Sequence, residues 1–573
     1  MTETIDLVIR NGRVVDGSGA PAFEADIAID KGRIVAIGRE LVQRGREEID
    51  ASGQLVTPGF VDIHTHYDGQ VTWSNSITPS SAHGVTTVLM GNCGVGFAPC
   101  RPTDRESLVS LMEGVEDLPE VVLSTGLPWT WQSFPEYLDF LEQRQYDADI
   151  ATQLPHAALR VFAMGQRAVE RQPATPEDCA RMAELAAEAV EAGALGFATS
   201  RTINHRASDG KLIFTLDAAE DELIAIGKAL DSRGKGVLQL VSDFSDVDQE
   251  LGMLRRVAEQ TARPMSLSVM QWHNAPEKWR AVFDWMEDCQ REGLAVTGQV
   301  SGRPVGILMG FEVSFNPFSY TPTFKSLQTL PLKERRRALR DPEIRQRIIG
   351  ETPEPSDFPG EMLLRCWDLM YPLGENPDYE PDAENKVSAI AARRGVSPEA
   401  CAYDLMLEQD GQAVIMLPVV NFADGTLNAA LSMLRHPHSI FGLGDGGAHL
   451  GFLCDASLPT HLLTYWVRDR EKGERLGLEE AIRGLTHDTA RAVGLNDRGL
   501  LKSGYRADIN IIDFDQLTLL PPRVHYDLPA GGRRVHQGAL GYTATLVNGT
   551  VVQHNGEATG ALPGRLVRGA QAA

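Results

Sequence analysis

Apolar and polar residues alternate with a period of two through the first 57 residues of the chain. Leu7-Val8-Ile9-Arg10 and Arg13-Val14-Val15 flank Asn11-Gly12, and Asp26-Ile27-Ala28-Ile29 and Arg33 to Ile37 flank Asp30-Lys31-Gly32. Such alternation sends successive side chains to opposite faces of a strand, and Asn-Gly or Lys-Gly between two runs is a hairpin signal. The style returns near the other end, in Asp508-Ile509-Asn510-Ile511-Ile512 and in Tyr542 to Val552. Neither piece is long enough to close a sheet alone. The pattern predicts one small β-domain built from both ends, residues 1–57 with 500–573.

Between them the period changes. Eight strand-like segments stand out, at 60–66, 86–92, 151–160, 194–200, 236–242, 265–271, 295–301 and 439–445, with helix-like sequence between several of them. The clearest helix runs from Pro176 to Ala192 and ends at Gly193, where a helix stop is expected. Strands alternating with helices predict a parallel α/β fold. Eight strands fit a (β/α)8 TIM-like barrel over 58–499, with its chemistry at the C-terminal strand ends. Two spacers, 93–150 and 302–438, read as insertions on barrel loops, which usually cover or shape a pocket. The first contains Leu127-Pro128-Trp129-Thr130-Trp131, the second the charged helix-like stretch Leu332 to Ile348.

Composition narrows the classes. With 43% hydrophobic and 23% charged residues, the chain reads as an ordinary globular protein. A net charge of -24 argues against nucleic acid and anionic membranes as partners, because both need basic patches. No basic leader opens the chain and no apolar run of about 18 residues occurs, so neither a signal peptide nor a membrane span is expected. The seven cysteines are scattered and odd in number, which suits a reducing, cytoplasmic setting.

The stretch Thr57-Pro58-Gly59-Phe60-Val61-Asp62-Ile63-His64-Thr65-His66 carries the chemistry. Residues i and i+2 of a strand share a face, so both imidazoles aim at one spot, and neutral imidazole is the commonest metal ligand. This stretch resembles the first barrel strand of the amidohydrolase superfamily, metal-dependent hydrolases on a (β/α)8 barrel. Asn92-Cys93-Gly94 resembles its D-aminoacylase (N-acyl-D-amino-acid deacylase) branch. The resemblance implies that the two ends join in a β-sandwich beside the barrel, and Gly499 to Asp508 is similar to the family's re-entry into it. Asp445 closes the eighth strand and precedes Gly446-Gly447. By resemblance it binds metal and takes the proton of the attacking water; a helix N-cap is the plainer alternative. Cys93 follows the second strand in a Gly-rich loop; the matching Cys of D-aminoacylases is a zinc ligand, although a lone Cys is usually a small buried hydrophobe.

The resemblance also fails in places. Where relatives carry a metal-binding His after the fifth and sixth strands, this chain offers Gln239 and, out of step, His273. The basic residue past the sixth strand and the tyrosine of the seventh are missing. The expected site is therefore reduced to His64, His66, Cys93 and Asp445 around a divalent metal, zinc by ligand type, with one ion favoured and a second left open. Substrate recognition falls to Arg201, His205, His273, Arg303 and His449, the arginines as bidentate carboxylate binders. The function expected is cleavage of a C–N amide bond in a small N-acyl amino acid by a metal-activated water. A cyclic amide, imide or lactone hydrolase, or a metal-poor barrel that only binds a ligand, are the alternatives. The expected partner is a small-molecule substrate, with homo-oligomer formation open.

Overall fold

The computed structural model describes residues 4–355 and 361–572. Eight parallel strands organise the middle of the chain: β1 (Phe60–Asp62), β2 (Val85–Met90), β3 (Asp149–Thr152), β4 (Gly196–Arg201), β5 (Val237–Ser242), β6 (Met265–Ser268), β7 (Val296–Val300) and β8 (Ser439–Phe441). β1, β2 and β3 pair in that order. Leu154–Pro155 continues β3 beyond Gln153 and pairs with β4, and β4 to β8 follow as parallel neighbours. A parallel bridge between Thr65 and Gly446 brings the end of β8 back beside the end of β1. All six residues of β2 are buried, as expected of strands covered on both faces.

The sequence periods explain these elements and their limits. The helix α2 (Pro176–Ala192) begins where predicted; its N-cap is Thr175, whose side chain accepts from Asp178 N while Asp178 returns the bond. It stops at Gly193, whose φ of 126° suits glycine. The third predicted strand is cut short, because after Pro155 the chain turns into the helix His156–Met164. The stretch Leu332 to Ile348 is two helices, Leu332–Ala338 and Pro342–Gly350, divided where Asp341 caps the second and Pro342 opens it.

Both chain ends build one nine-stranded sheet. Leu55–Pro58 joins them, parallel to Thr4–Val14 on one side and antiparallel to Ile509–Ile512 on the other. Ile9, Ile27, Ile29, Val56, Ile509, Ile511 and Leu546 fill its buried face. Lys31-Gly32 and Asn548-Gly549 make the hairpin turns, all four with positive φ. Asn11-Gly12 does not. It is an irregularity inside the single strand Thr4–Val14, where a Cβ on Gly12 would lie 2.4 Å from Val56 Cγ2. Beyond the sheet, Leu566 runs beside Ile150 in the parallel layer.

The insertion after β2 carries α1 (Arg105–Glu116) and two shorter helices. The insertion after β7 has its own core around Phe311, Phe318, Phe324 and Tyr403, and a three-stranded antiparallel sheet. Among the described residues no helix is long and apolar enough to cross a membrane.

Candidate active site

Past Asp62 the regular β1–β2 ladder stops and the chain gains a second partner, the segment after β8. Asp445 N donates to His64 O at 2.9 Å and His66 N to Gly446 O at 2.8 Å. This second pairing brings the two imidazoles and the Asp445 carboxylate to one place. The regular ladder of the predicted strand 60–66 with β2 ends at Asp62, although Thr65 N still donates to Leu89 O at 3.1 Å, and the histidines sit on an extended continuation.

Cys93 arrives from β2 on a loop that the Asn-Cys-Gly motif fixes. Asn92 donates from Nδ2 to Thr65 O and Leu89 O, and its Oδ1 accepts from Gln153 Nε2. Gly91 and Gly94 have positive φ, and a Cβ on either would meet backbone atoms of Gln153 or Ala198 within 3 Å. Only glycine tolerates both demands. Gln239 of β5 accepts from Cys93 N at 3.2 Å, so the residue standing where the resemblance led us to look for a histidine holds the loop.

Three of the groups, His64, His66 and Cys93, converge closely enough for a cation, and Asp445 borders both imidazoles. His64 Nε2 lies 3.4 Å from Cys93 Sγ and 3.5 Å from Asp445 Oδ1, and His66 Nε2 lies 3.7 Å from the same oxygen. A tetrahedral cation with bonds of about 2.0–2.3 Å spaces its donors about 3.3–3.6 Å apart. The imidazoles and the thiol, all buried, lie within 4.8 Å of one another. Charge tells the same story. Burial opposes protonation of His64, yet Cys93 and then Asp445 outweigh it and push the imidazole up to about 9. His66 is raised too, against burial, by Glu116, Asp445 and Cys93. Burial works against ionisation of Cys93 and Asp445, but the histidines hold both below their ordinary values. The imidazoles and the acids thus favour each other's charged forms, and a divalent cation would stabilise the same thiolate and carboxylate. The residues fit a metal.

Each imidazole is aimed by a polar group behind it. His64 Nδ1 meets Gln299 Oε1 at 2.6 Å, and Gln299 Nε2 donates to Ser266 Oγ. His66 Nδ1 faces Glu116 Oε1 at 3.1 Å. Neither Gln299 nor Glu116 was singled out from sequence; Gln299 was visible as a polar residue in an apolar strand, whereas Glu116 gave no signal. Gln299→Leu is expected to weaken metal binding about 10–100-fold, as loss of such outer partners does; competition against a chromogenic chelator measures it.

The remaining predicted residues divide. His449 lies beside Glu116, its Nδ1 3.9 Å from Oε2. His205 bonds Ser200 Oγ through Nδ1 at 2.8 Å; burial, with His449 and His66 adding to it, pushes it down to about 3 and keeps it neutral. His273 stays apart from the cluster, beside Pro418 and Asp424. Both arginines are engaged with carboxylates of the chain itself. Arg201 makes a two-point contact with Glu250 and donates to Ala218 O. Arg303 is wholly buried against Asp455, Ser457 and the Cys454 carbonyl, over the Tyr379 ring. The sequence could not show these partners. Arg303→Met should therefore act as a broken buried ion pair and destabilise the fold by about 3–5 kcal/mol, read by denaturant unfolding, with equal effect on charged and uncharged substrates.

Four non-glycine residues at this site have left-handed backbones: Cys93 (φ 53°), Leu443 (φ 61°), Asp445 (φ 45°) and His449 (φ 49°). Such conformations cost about 1–3 kcal/mol each and gather at functional sites.

The chain matches the amidohydrolase family over residues 47–553, and it belongs to that family. It is thus a hydrolase of carbon–nitrogen bonds other than peptide bonds. Among its relatives is a D-aminoacylase of Alcaligenes xylosoxydans xylosoxydans, 26% identical over 99% of this chain and 98% of that one. A solved D-aminoacylase, studied for its binuclear metal centre, matches 98% of this chain and 100% of its own with a TM-score of 0.65 and 22% identity. An N-acyl-D-glutamate deacylase from Bordetella bronchiseptica, solved with zinc and a phosphonate inhibitor, covers 99% and 100% with a TM-score of 0.63 and 21% identity.

Proposed function

We propose that this protein is a metal-dependent deacylase of small N-acyl amino acids, similar in action to the N-acyl-D-amino-acid deacylases. The convergence of His64, His66 and Cys93, with Asp445 beside both imidazoles, carries this reading. The relatives' names support the substrate class. We take the metal to be a single zinc, because thiolate and imidazole suit it and Gln239 is spent on the Cys93 loop. The parallel ring is then the (β/α)8 barrel of residues 58–499, with 1–57 and 500–573 as the β-sandwich. Seven unpaired cysteines support a cytoplasmic setting.

When bound, the metal would polarise the acyl carbonyl and acidify the attacking water. Asp445 Oδ1 faces both imidazoles, while its side chain remains 15% exposed. It accepts the proton of the attacking water and returns it to the leaving nitrogen. His205, neutral, and His449 offer hydrogen bonds to the substrate. Gln299 and Glu116 hold the ligating rings in place.

One observation favours a second reading. With Arg201 and Arg303 both engaged, a cyclic amide or imide without a carboxylate suits the mouth as well. Metal analysis of the purified protein, with hydrolysis assays on N-acyl-D-amino acids, N-acyl-L-amino acids and cyclic imides, tests both. Turnover of the N-acyl-D series with one bound metal is expected. Turnover of the imides alone would replace the first reading with the second, and metal-free protein would overturn both.

A further inference from the structure

We propose that Glu116 is a positioning residue that ties the metal ligand His66 to the substrate-facing His449, one buried carboxylate orienting both rings. This rests on the metal-dependent reading above. Glu116 is 1% exposed, at the last turn of α1 in the insertion after β2. Its Oε1 lies 3.1 Å from His66 Nδ1 and its Oε2 3.9 Å from His449 Nδ1. Among the described residues His66 Nδ1 is buried without a hydrogen-bond partner, and so are Glu116 Oε2 and His449 Nδ1, a facing pair.

Every local rule speaks against a carboxylate here. A helix C-terminus carries partial negative charge and disfavours an anion, and a buried carboxylate is costly unless it is paired. No Arg or Lys among the described residues forms an ion pair with Glu116; its contacts are the two imidazoles. A residue that breaks local rules and meets only functional groups marks a functional role.

The backbone supports the geometry. Leu450 N donates to Glu116 O at 3.2 Å, and Asp117 Oδ2 accepts from Gly451 N at 3.0 Å and from Ser314 Oγ at 2.5 Å. The end of α1 is thereby fastened to the loop that carries Asp445 and His449. His66 turns Nε2 toward the donor cluster and presents Nδ1 to Oε1 at 3.1 Å, a contact that a small turn of the ring would align into a donation. A second donation, from His449 Nδ1 to Oε2, leaves His449 Nε2 as an acceptor for the substrate. Closing the 3.9 Å gap needs a movement of about 1 Å to reach hydrogen-bond distance.

Two substitutions separate the two arms. In Glu116→Gln the amide oxygen serves His66, but the amide nitrogen, a donor, meets His449. Zinc affinity should stay within about threefold of wild type, while kcat/KM for N-acetyl-D-amino acids falls at least about tenfold, mainly through KM. Glu116→Ala leaves both rings unheld, and zinc affinity should fall about 10–100-fold. In a His449→Ala background the further loss from Glu116→Gln should vanish, because coupled residues are not additive. A merely structural glutamate predicts instead equal losses in both backgrounds and unchanged zinc affinity. Zinc affinity unaltered in Glu116→Ala, or a Glu116→Gln penalty that persists without His449, would overturn the proposal while wild-type zinc binding stands. Wild-type protein without zinc affinity would overturn the metal-dependent reading, and this proposal with it.

Discussion

Replacing His64 and His66 together by alanine is expected to reduce bound metal from about one equivalent to below about a tenth, because two of four donors are lost and no closed shell remains. The structure strengthens the case for these two. Each presents Nε2 to the same small volume, and each is braced from behind, His64 by Gln299 and His66 by Glu116. Without the imidazoles, burial is left to oppose the ionisation of Cys93 and Asp445, which weakens both as remaining donors. Inductively coupled plasma mass spectrometry on the desalted protein reads the outcome. A full equivalent retained by the double variant would remove the site from this part of the molecule.

Asp445→Asn should lower kcat by about 10²–10⁴-fold, the usual cost of losing a general base, with little change in thermal stability. Asp445 has φ 45°, and asparagine tolerates the left-handed region about as well as any residue with a side chain. The bond from residue 445 N to His64 O is made by the backbone and survives the exchange. His64, His66 and Cys93 remain close enough to hold the cation, so metal content, measured beside turnover, should stay above about half. Near-normal turnover with metal present would assign the proton transfer to another group.

Local patterning accounts for much of what was legible in the chain. Alternation and turn residues marked the strands of the terminal sheet, because burial of one face imposes a period of two. The run from Pro176 to Ala192 and the stop at Gly193 marked α2 to the residue, because propensity and end signals act within a turn or two of helix. His64 and His66 were legible as a pair for the same reason: two residues apart in an extended chain, they share a face wherever the chain goes. Asn11-Gly12 shows the limit. The same dipeptide makes a turn or a break in one strand, and the close approach of Val56, far along the chain, decides which.

Partners from distant segments lay beyond the sequence. Gln299 behind His64, Glu116 behind His66, and Gln239 under the Cys93 loop each come from a separate element, and nothing in their own neighbourhoods announces the meeting. Arg201 and Arg303 have the residue type and strand-end position of carboxylate clamps, but Glu250 and Asp455 engage them within the fold. A charge in a sequence shows what it can bind, and only packing decides whether that capacity is already used. The sequence alone determined the period of each element and the donor types offered to a metal. Tertiary structure decided which donors converge and which side chains aim them, because hydrogen bonds and ion pairs act over a few ångströms in space whatever their separation along the chain.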